Sequence, residues 1–126
     1  MLTGSVSLTD VPTRAEREAD ALASARREVA EILLVVRGLA IEDVDLLTTA
    51  LCCLRFRSRH MVMQRSGLRD GHRYTLRELG NVWHISLERA RQVEKRAREK
   101  LLAVPAVGAA WERLERALQS VAETRR

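Results

Sequence analysis

Apolar side chains recur every three or four residues along most of this chain, which is the spacing that one face of an α-helix requires. In the N-terminal half, the pattern predicts a helix from Thr13 to about Arg37, with Thr13 and Glu16 spaced as a capping box. A second helix is predicted from the acidic residues at 42–45 to about Phe56. This helix is apolar on more than one side, so we expect it to lie at the centre of the core.

In the C-terminal half, residues 74–102 are predicted to form two helices joined by a tight turn. Thr75 and Glu78 make a second capping box, and Gly80 lacks a side chain where two helices can approach closely. Ser86 is the expected N-cap of the second helix. One face of that helix is apolar, and the other carries cations and an amide: Arg89, Arg91, Gln92, Lys95 and Arg96. This arrangement is typical of a helix-turn-helix with a basic recognition helix.

A last helix is predicted after Val104–Pro105, where proline breaks the chain because it has no backbone N–H. Its apolar stripe is expected either to pack on the N-terminal helices or to form a homodimer seam or a partner-docking surface. The stripe consists of Trp111, Leu114, Leu118 and Val121.

These elements predict an all-α fold, a small helical bundle of four to six helices with the helix-turn-helix in its C-terminal half. The expected divisions are a flexible N-terminus (1–12), an N-terminal helical pair (13–57), an Arg-rich insert or loop (58–73), the helix-turn-helix (74–102) and a C-terminal amphipathic helix (106–126).

The net charge of +5 is concentrated near the helix-turn-helix. Residues 1–54 carry −4, residues 55–73 carry +5 and residues 74–100 carry +3. A concentrated basic patch is typical of nucleic-acid binding. The acidic N-terminal segment is expected to be solvated or to face a basic protein.

The sequence shows no motif of an enzyme, a metal site or a membrane span. It has neither a Gly-rich phosphate loop nor a nucleophile elbow, and the adjacent Cys52 and Cys53 have no histidine at zinc-site spacing. No apolar run approaches the roughly 18 residues that cross a bilayer, and no secretion signal is evident. We therefore expect a cytoplasmic protein without catalytic residues, metal or cofactor.

The polar residues of the helix-turn-helix resemble those of one family. The runs Thr-Leu-x-Glu-Leu-Gly, from Thr75, and Ile-Ser-x-Glu-Arg-x-Arg-Gln-Val-Glu, from Ile85, resemble region four of bacterial primary-type sigma factors. The resemblance implies contact with the minus-35 promoter element and docking on the β flap of RNA polymerase. At 126 residues, the chain is expected to be too short for a complete sigma factor, which needs further domains.

Base contacts are implied by this resemblance for three residues at the start of the recognition helix, Leu87, Glu88 and Gln92. Glu88 is expected to accept from a cytosine amino group, and Gln92 to pair with an adenine edge or contact a thymine. The arginine that contacts a base in the family is replaced here by Leu87. This replacement is expected to weaken or alter minus-35 recognition, unless Leu87 contacts a thymine methyl group instead.

Phosphate contacts are implied for further residues of the helix-turn-helix. Thr75 is expected to offer its N–H and hydroxyl to a phosphate. The basic side chains of the recognition helix are expected to bind the DNA backbone and to extend its basic face, namely Arg89, Arg91, Lys95 and Arg96.

The Arg-rich insert has two interpretations. Leu54-Arg55-Phe56 resembles the end of a helix that precedes the helix-turn-helix in the family, and the gap from there to Thr75 is longer than usual. The gap is either a helix extension to about Gln64 followed by a loose solvated loop, or an added arm that contacts phosphates or a partner. Its possible phosphate contacts are Arg57, Arg59, Arg65, Arg69 and Arg73.

We expect a transcription regulator that binds promoter DNA with a minus-35-like element, bacterial RNA polymerase, or both, with a separate sigma subunit as a further possible partner. A second hypothesis is a protein-interaction module that has lost base contacts and binds polymerase or a sigma factor as a decoy. A third is a dimeric helix-turn-helix repressor whose last helix forms the dimer.

Overall fold

The computed structural model describes the backbone of residues 11–124 and the side chains of residues 11–120. This part of the chain contains no strand and folds into α1 (Arg14–Leu34), α2 (Ile41–Cys52), α3 (Phe56–Ser66), α4 (Leu76–Trp83), α5 (Leu87–Leu102) and α6 (Pro105–Thr124). The predicted all-α class is confirmed, and the six helices fall within the expected number. Most of the predicted flexible N-terminus, residues 1–10, lies outside the described residues.

The larger of two hydrophobic cores joins the N-terminal helices to α6. Leu33 of α1, Leu47 and Leu51 of α2, and Leu114 of α6 have no exposed surface in it, and Trp111 is nearly as buried. Helix α2 lies between α1 and α6, which fits its expected central place. No helix among the described residues is both long and apolar enough for a bilayer.

Helix α6 places its apolar stripe against this core. Trp111 and Leu114 are buried, and Leu118 packs at the edge. The Val121 side chain lies outside the described residues. Through Trp111 and Leu114, which are covered within one chain, the stripe therefore packs on the N-terminal helices. A homodimer through the rest of α6 stays a prediction.

A second, smaller core holds the helix-turn-helix against α3. Met61 of α3, Leu79 of α4 and Ala90 of α5 are fully buried in it. Trp83, at the end of α4, packs at its edge and donates from Nε1 to the Gln64 Oε1 on α3 at 2.9 Å. Helix α3 thus fixes the position of the helix-turn-helix relative to the rest of the chain.

Helix α2 ends earlier than predicted. It stops at Cys52, and Phe56 begins α3 instead of ending α2. The chain turns at Cys53 and Leu54, whose N–H groups donate to Ala50 and Leu51 at 3.2 and 3.1 Å, and the Leu54 side chain enters the larger core. No glycine or proline marks this turn in the sequence.

The Arg-rich segment at 58–73 agrees in part with the first interpretation of it. It is helical to Ser66, close to the expected end at Gln64, but it does not extend α2, because α3 is a separate helix whose centre is buried. Gly67 ends α3 in a left-handed conformation with φ 80°. The Leu68 N–H donates to the Met63 carbonyl and the Gly67 N–H to the Gln64 carbonyl, which is a Schellman motif. Leu68 is buried, so the loop that follows is anchored and not loose.

A half-exposed ion pair connects α2 to α6. Arg113 donates from Nε and Nη2 to the two carboxylate oxygens of Asp43 at 2.7 and 2.9 Å. The Asp43 side chain is largely buried, and these hydrogen bonds hold its pKa below the ordinary value. A carboxyl group whose pKa is lower in the folded state stabilises the fold above its unfolded pKa and loses this effect as pH falls.

Replacing Arg113 with glutamine should therefore reduce the free energy of unfolding at pH 7. The difference between wild type and Arg113→Gln should shrink as pH falls below about 4 and vanish below the lowered pKa of Asp43, as measured by urea unfolding at several pH values. Arg116→Gln is the control, because Arg116 and Glu112 are 4.0 Å apart and about three quarters exposed. A pH-independent difference for Arg113→Gln would contradict this role of the pair.

Replacing Gly80 with alanine should destabilise the protein by about 1–3 kcal/mol. A Cβ atom at Gly80 would lie 2.8 Å from the Ile85 carbonyl oxygen, so the turn after α4 would have to move. The matched control is Gly108→Ala in α6, where the nearest atom is 3.8 Å away and alanine favours the helix by at most about 1 kcal/mol. Urea unfolding of both variants tests this, and equal stabilities would contradict it.

Candidate nucleic-acid interface

Helix α4 begins at a complete capping box. Thr75 Oγ1 accepts from the Glu78 N–H at 3.1 Å, and Glu78 Oε1 accepts from the Thr75 N–H at 3.1 Å. Glu78 Oε2 lies 2.7 Å from His72 Nε2. These bonds, the Thr75 backbone bond foremost, lower the pKa of Glu78. The Thr75 N–H is thus bonded within the protein, contrary to the expectation that it is available for a phosphate, and only the hydroxyl hydrogen remains.

The turn between α4 and α5 determines where the recognition helix begins. His84 ends α4 with φ 55° and ψ 44°, the left-handed region, and the Ile85 N–H donates to the Gly80 carbonyl at 2.9 Å. Ser86 then caps α5, because its Oγ accepts from the Arg89 N–H at 3.0 Å. The first turn of α5 is therefore held at a defined position on the surface.

Helix α5 buries its apolar face, as its spacing predicts. Ala90, Val93, Ala97 and Leu101 are buried, together with Glu94, which pairs with Arg98 at 2.5 Å. The residues that the family resemblance assigns to DNA lie outside this buried face. Gln92 is half-buried, and the others are exposed: Leu87, Glu88, Arg89, Arg91, Lys95 and Arg96.

Two of those residues bind each other. Arg91 donates from Nη2 and Nε to the two oxygens of Glu88 at 2.5 and 2.9 Å, and Gln92 Nε2 lies 3.5 Å from Glu88 Oε1. The Arg91 hydrogen bonds hold the pKa of Glu88 below its ordinary value. The Glu88 carboxylate is thus neutralised locally, so a contact of Glu88 with a base competes with its hydrogen bonds to Arg91.

A groove lies between the N-terminal end of α3 and the exposed side of α5, and basic side chains line it. Its volume is about 270 Å³, and we call it the basic groove. None of the described residues that line it is acidic, and five are basic: Arg55, Arg57, Arg89, Arg96 and Lys100. Five cations around one groove form a strong anion-attracting surface.

The five arginines assigned to the Arg-rich insert separate into different roles. Arg59 is 8% exposed, donates to the Leu54 carbonyl at 3.3 Å and lies over the Phe56 ring. Arg65 and Arg69 also bind within the protein, to the Tyr74 carbonyl and His60 Nδ1. Arg59 is thus buried, contrary to the expectation of phosphate binding, whereas phosphate contacts of the more exposed Arg65 and Arg69 stay predictions.

The two remaining arginines of that set are in different places. Arg57 lines the basic groove. Arg73 lines a separate cleft of about 280 Å³ beside Trp111 and Glu115. Only Arg57 of the five therefore joins the recognition helix in a shared site.

Two basic residues of the basic groove are absent from the expected set. Lys100 lies four residues after Arg96, so helical spacing alone indicates that they share a face. The position of Arg55 in the groove could not be predicted from helical spacing, because it depends on the turn between α2 and α3, which no glycine or proline indicates in the sequence. Within the described residues, no three His, Cys, Asp or Glu side chains are grouped to hold a metal ion.

Comparison with known proteins gives matches to part of the chain. Residues 50–102 match the family described as "Sigma-70, region 4". This range extends from the end of α2 through α5, so it spans α3 and the loop that follows it. The resemblance inferred from the polar residues is therefore confirmed.

Several similar proteins are sigma factors of cyanobacteria. The "RNA polymerase sigma-C factor" of Nostoc sp. is 46% identical over 48 residues, which are 38% of this chain and 12% of that protein. The "RNA polymerase sigma factor SigA4" of Synechococcus elongatus is 44% identical over 55 residues, or 44% of this chain and 18% of that protein. The chain thus spans less than a fifth of these curated relatives. No solved structure gives a significant match.

Proposed function

Because residues 50–102 carry a sigma-70 region 4 helix-turn-helix, we propose that this protein is a transcription regulator that binds promoter-type double-stranded DNA. It acts by binding and not by catalysis. In this proposal the first turn of α5 enters the major groove, while the basic groove holds the adjacent DNA backbone. The observation that supports this most directly is that one groove brings together five cations from the recognition helix and the N-terminal end of α3.

The dimensions of the basic groove suit a DNA strand. Arg89 and Lys100 are separated by about 16 Å along α5, at the rise of an α-helix. Successive phosphates of one strand advance about 3.4 Å along the duplex axis. The cations on α5 can therefore follow several consecutive phosphates, while Arg57 approaches the same strand from α3.

The N-terminal end of α3 adds a further attraction for phosphate. Its N-cap, Arg55, makes no side-chain hydrogen bond to the first backbone N–H groups of the helix. Unsatisfied N–H groups and the positive end of the helix dipole favour an anion at this position. The basic groove is lined by Arg55, Arg57 and Ser58. The backbone N–H groups and the basic side chains here therefore both attract phosphate.

Sequence preference is expected to be modest compared with phosphate binding. An arginine that binds guanine bidentately supplies about 1–3 kcal/mol of discrimination, and Leu87 cannot supply it. A contact of Glu88 with a base must also compete with the pairing of Glu88 to Arg91. Recognition of a minus-35-like element is therefore proposed to depend on Gln92 and Leu87, with phosphate contacts providing most of the affinity.

Bacterial RNA polymerase is the proposed protein partner. The similar proteins carry the name RNA polymerase sigma factor, and their region four, by the resemblance, docks on the β flap. This chain spans less than a fifth of them, so polymerase binding is proposed from the shared region four alone, and a sigma subunit is a further proposed partner. Co-purification of polymerase subunits with the tagged chain from a bacterial lysate tests this partner, and their absence would contradict it.

Binding to promoter duplexes should depend steeply on salt. If all five cations contact phosphates, a plot of log affinity against log salt should have a slope of about −4 to −5. Arg57→Ala and Arg96→Ala should each reduce the steepness by about 1 and weaken binding to all sequences alike. Fluorescence anisotropy with a minus-35-containing duplex and a scrambled duplex measures both quantities.

The control variant for this experiment is Arg116→Ala, because Arg116 is exposed on α6 and does not line the basic groove. Its slope and affinity should equal those of wild type. An unchanged slope in Arg57→Ala and Arg96→Ala would contradict DNA binding through the basic groove. Absence of salt-dependent binding to either duplex would favour the protein-interaction hypothesis instead.

A further inference from the structure

Leu87 is a large apolar residue exposed at the start of a basic helix. It is the first residue of α5 and is 45% exposed. The buried face of α5 begins only at Ala90. Part of the Leu87 side chain therefore lies on the protein surface at the start of α5 and is not buried in the small core.

The position of Leu87 is constrained by its neighbours in the chain. The Ser86 cap fixes the first turn of α5. On the other side, the Leu87 nitrogen lies 3.5 Å from where a Cβ atom of Gly80 would be, so the turn packs closely against α4. Side chains at the N-terminal end of a recognition helix are those that reach base edges in the major groove. Leu87 thus occupies a base-contacting position on a rigid backbone.

The polar residues near Leu87 are bound to each other. Glu88 accepts two hydrogen bonds from Arg91, and the Gln92 amide is directed at the same carboxylate. This local pairing neutralises Glu88 beside the DNA backbone. Of the three residues with an implied base contact, Leu87 is the one whose side chain takes no part in this pairing.

On the basis of the proposed DNA binding, we propose that Leu87 contacts the C5-methyl group of a thymine and makes thymine the preferred base at one position of the site. In the major groove, thymine presents an O4 acceptor and a methyl group, whereas cytosine presents an amino donor and no methyl group. A leucine side chain has no hydrogen-bonding atom, so only the methyl group can distinguish these bases for it.

Burial of one methyl group against Leu87 corresponds to about a fourfold gain in affinity. This gain is smaller than that of a bidentate arginine–guanine contact, which is the contact that a leucine cannot make. The methyl group of 5-methylcytosine should have the same effect as that of thymine. The contact therefore predicts a weak preference for a base that carries a C5-methyl group.

The test removes the methyl group without changing base pairing. Wild-type protein first selects duplexes from a random library, and each dT of the selected site is then replaced singly by dU. Anisotropy at one fixed salt concentration should show about fourfold weaker binding for the replacement at one position. Leu87→Ala should bind the dT and dU duplexes equally, and Leu87→Met, which keeps an apolar side chain of similar size, should retain the difference.

The matched control is Leu102→Ala, because Leu102 is a partly exposed leucine at the opposite end of α5. It should discriminate dT from dU as wild type does. If no dU replacement alters affinity, or if Leu87→Ala still discriminates, the methyl contact is refuted while salt-dependent DNA binding stands. If no duplex is bound in a salt-dependent manner, the proposed function fails as well.

Discussion

Helix α3 is buried on two sides, and the position of the helix-turn-helix depends on this constraint. Met61 packs into the small core under α4 and α5, whereas its neighbours Val62 and Met63 pack into the large core with α2 and α6. Three consecutive buried residues are unusual for a surface helix, whose apolar stripe is narrower. Helix α3 therefore contributes buried side chains to both cores. Displacement of α3 would remove these side chains from each core.

The two ends of α3 connect this packing to the surface. Its N-terminal end forms one side of the basic groove. Its C-terminal end closes in the Schellman motif at Gly67, and the Tyr74 N–H then donates to the Gln64 carbonyl at 3.1 Å just before α4 begins. The Trp83 bond to Gln64 fixes the other end of α4. Hydrophobic packing of α3 therefore positions both the recognition helix and the cations beside it.

Charge is distributed in keeping with this architecture. The acidic N-terminal helices carry Asp43, which is paired internally with Arg113, while the basic groove opens on the side formed by α3 and α5. On α5 itself, the Glu88–Arg91 pair reduces the charge near the first turn. In this account, the first turn of α5 contacts bases, and the basic side chains that follow along α5 bind phosphate.

Much of the helix-turn-helix could be predicted because its signals are local. Thr75 with Glu78 and Ser86 before α5 mark helix starts through hydrogen bonds within three residues. The break before Phe56 could not be predicted, because it depends on burial of Leu54 in a distant core. Likewise, the charge of Arg59 gives no sign that its guanidinium is held by the Leu54 carbonyl.

The central claim is that α5 and the N-terminal end of α3 together form a DNA-binding surface. Amide chemical shifts, followed by NMR during titration with a promoter duplex, test it most directly. Changes should concentrate at residues 55–58 and along the exposed side of α5 from Leu87 to Lys100, and they should leave α1 and the exposed face of α6 unaffected. Shifts confined to α1 and α6, with none at α5, would contradict the account.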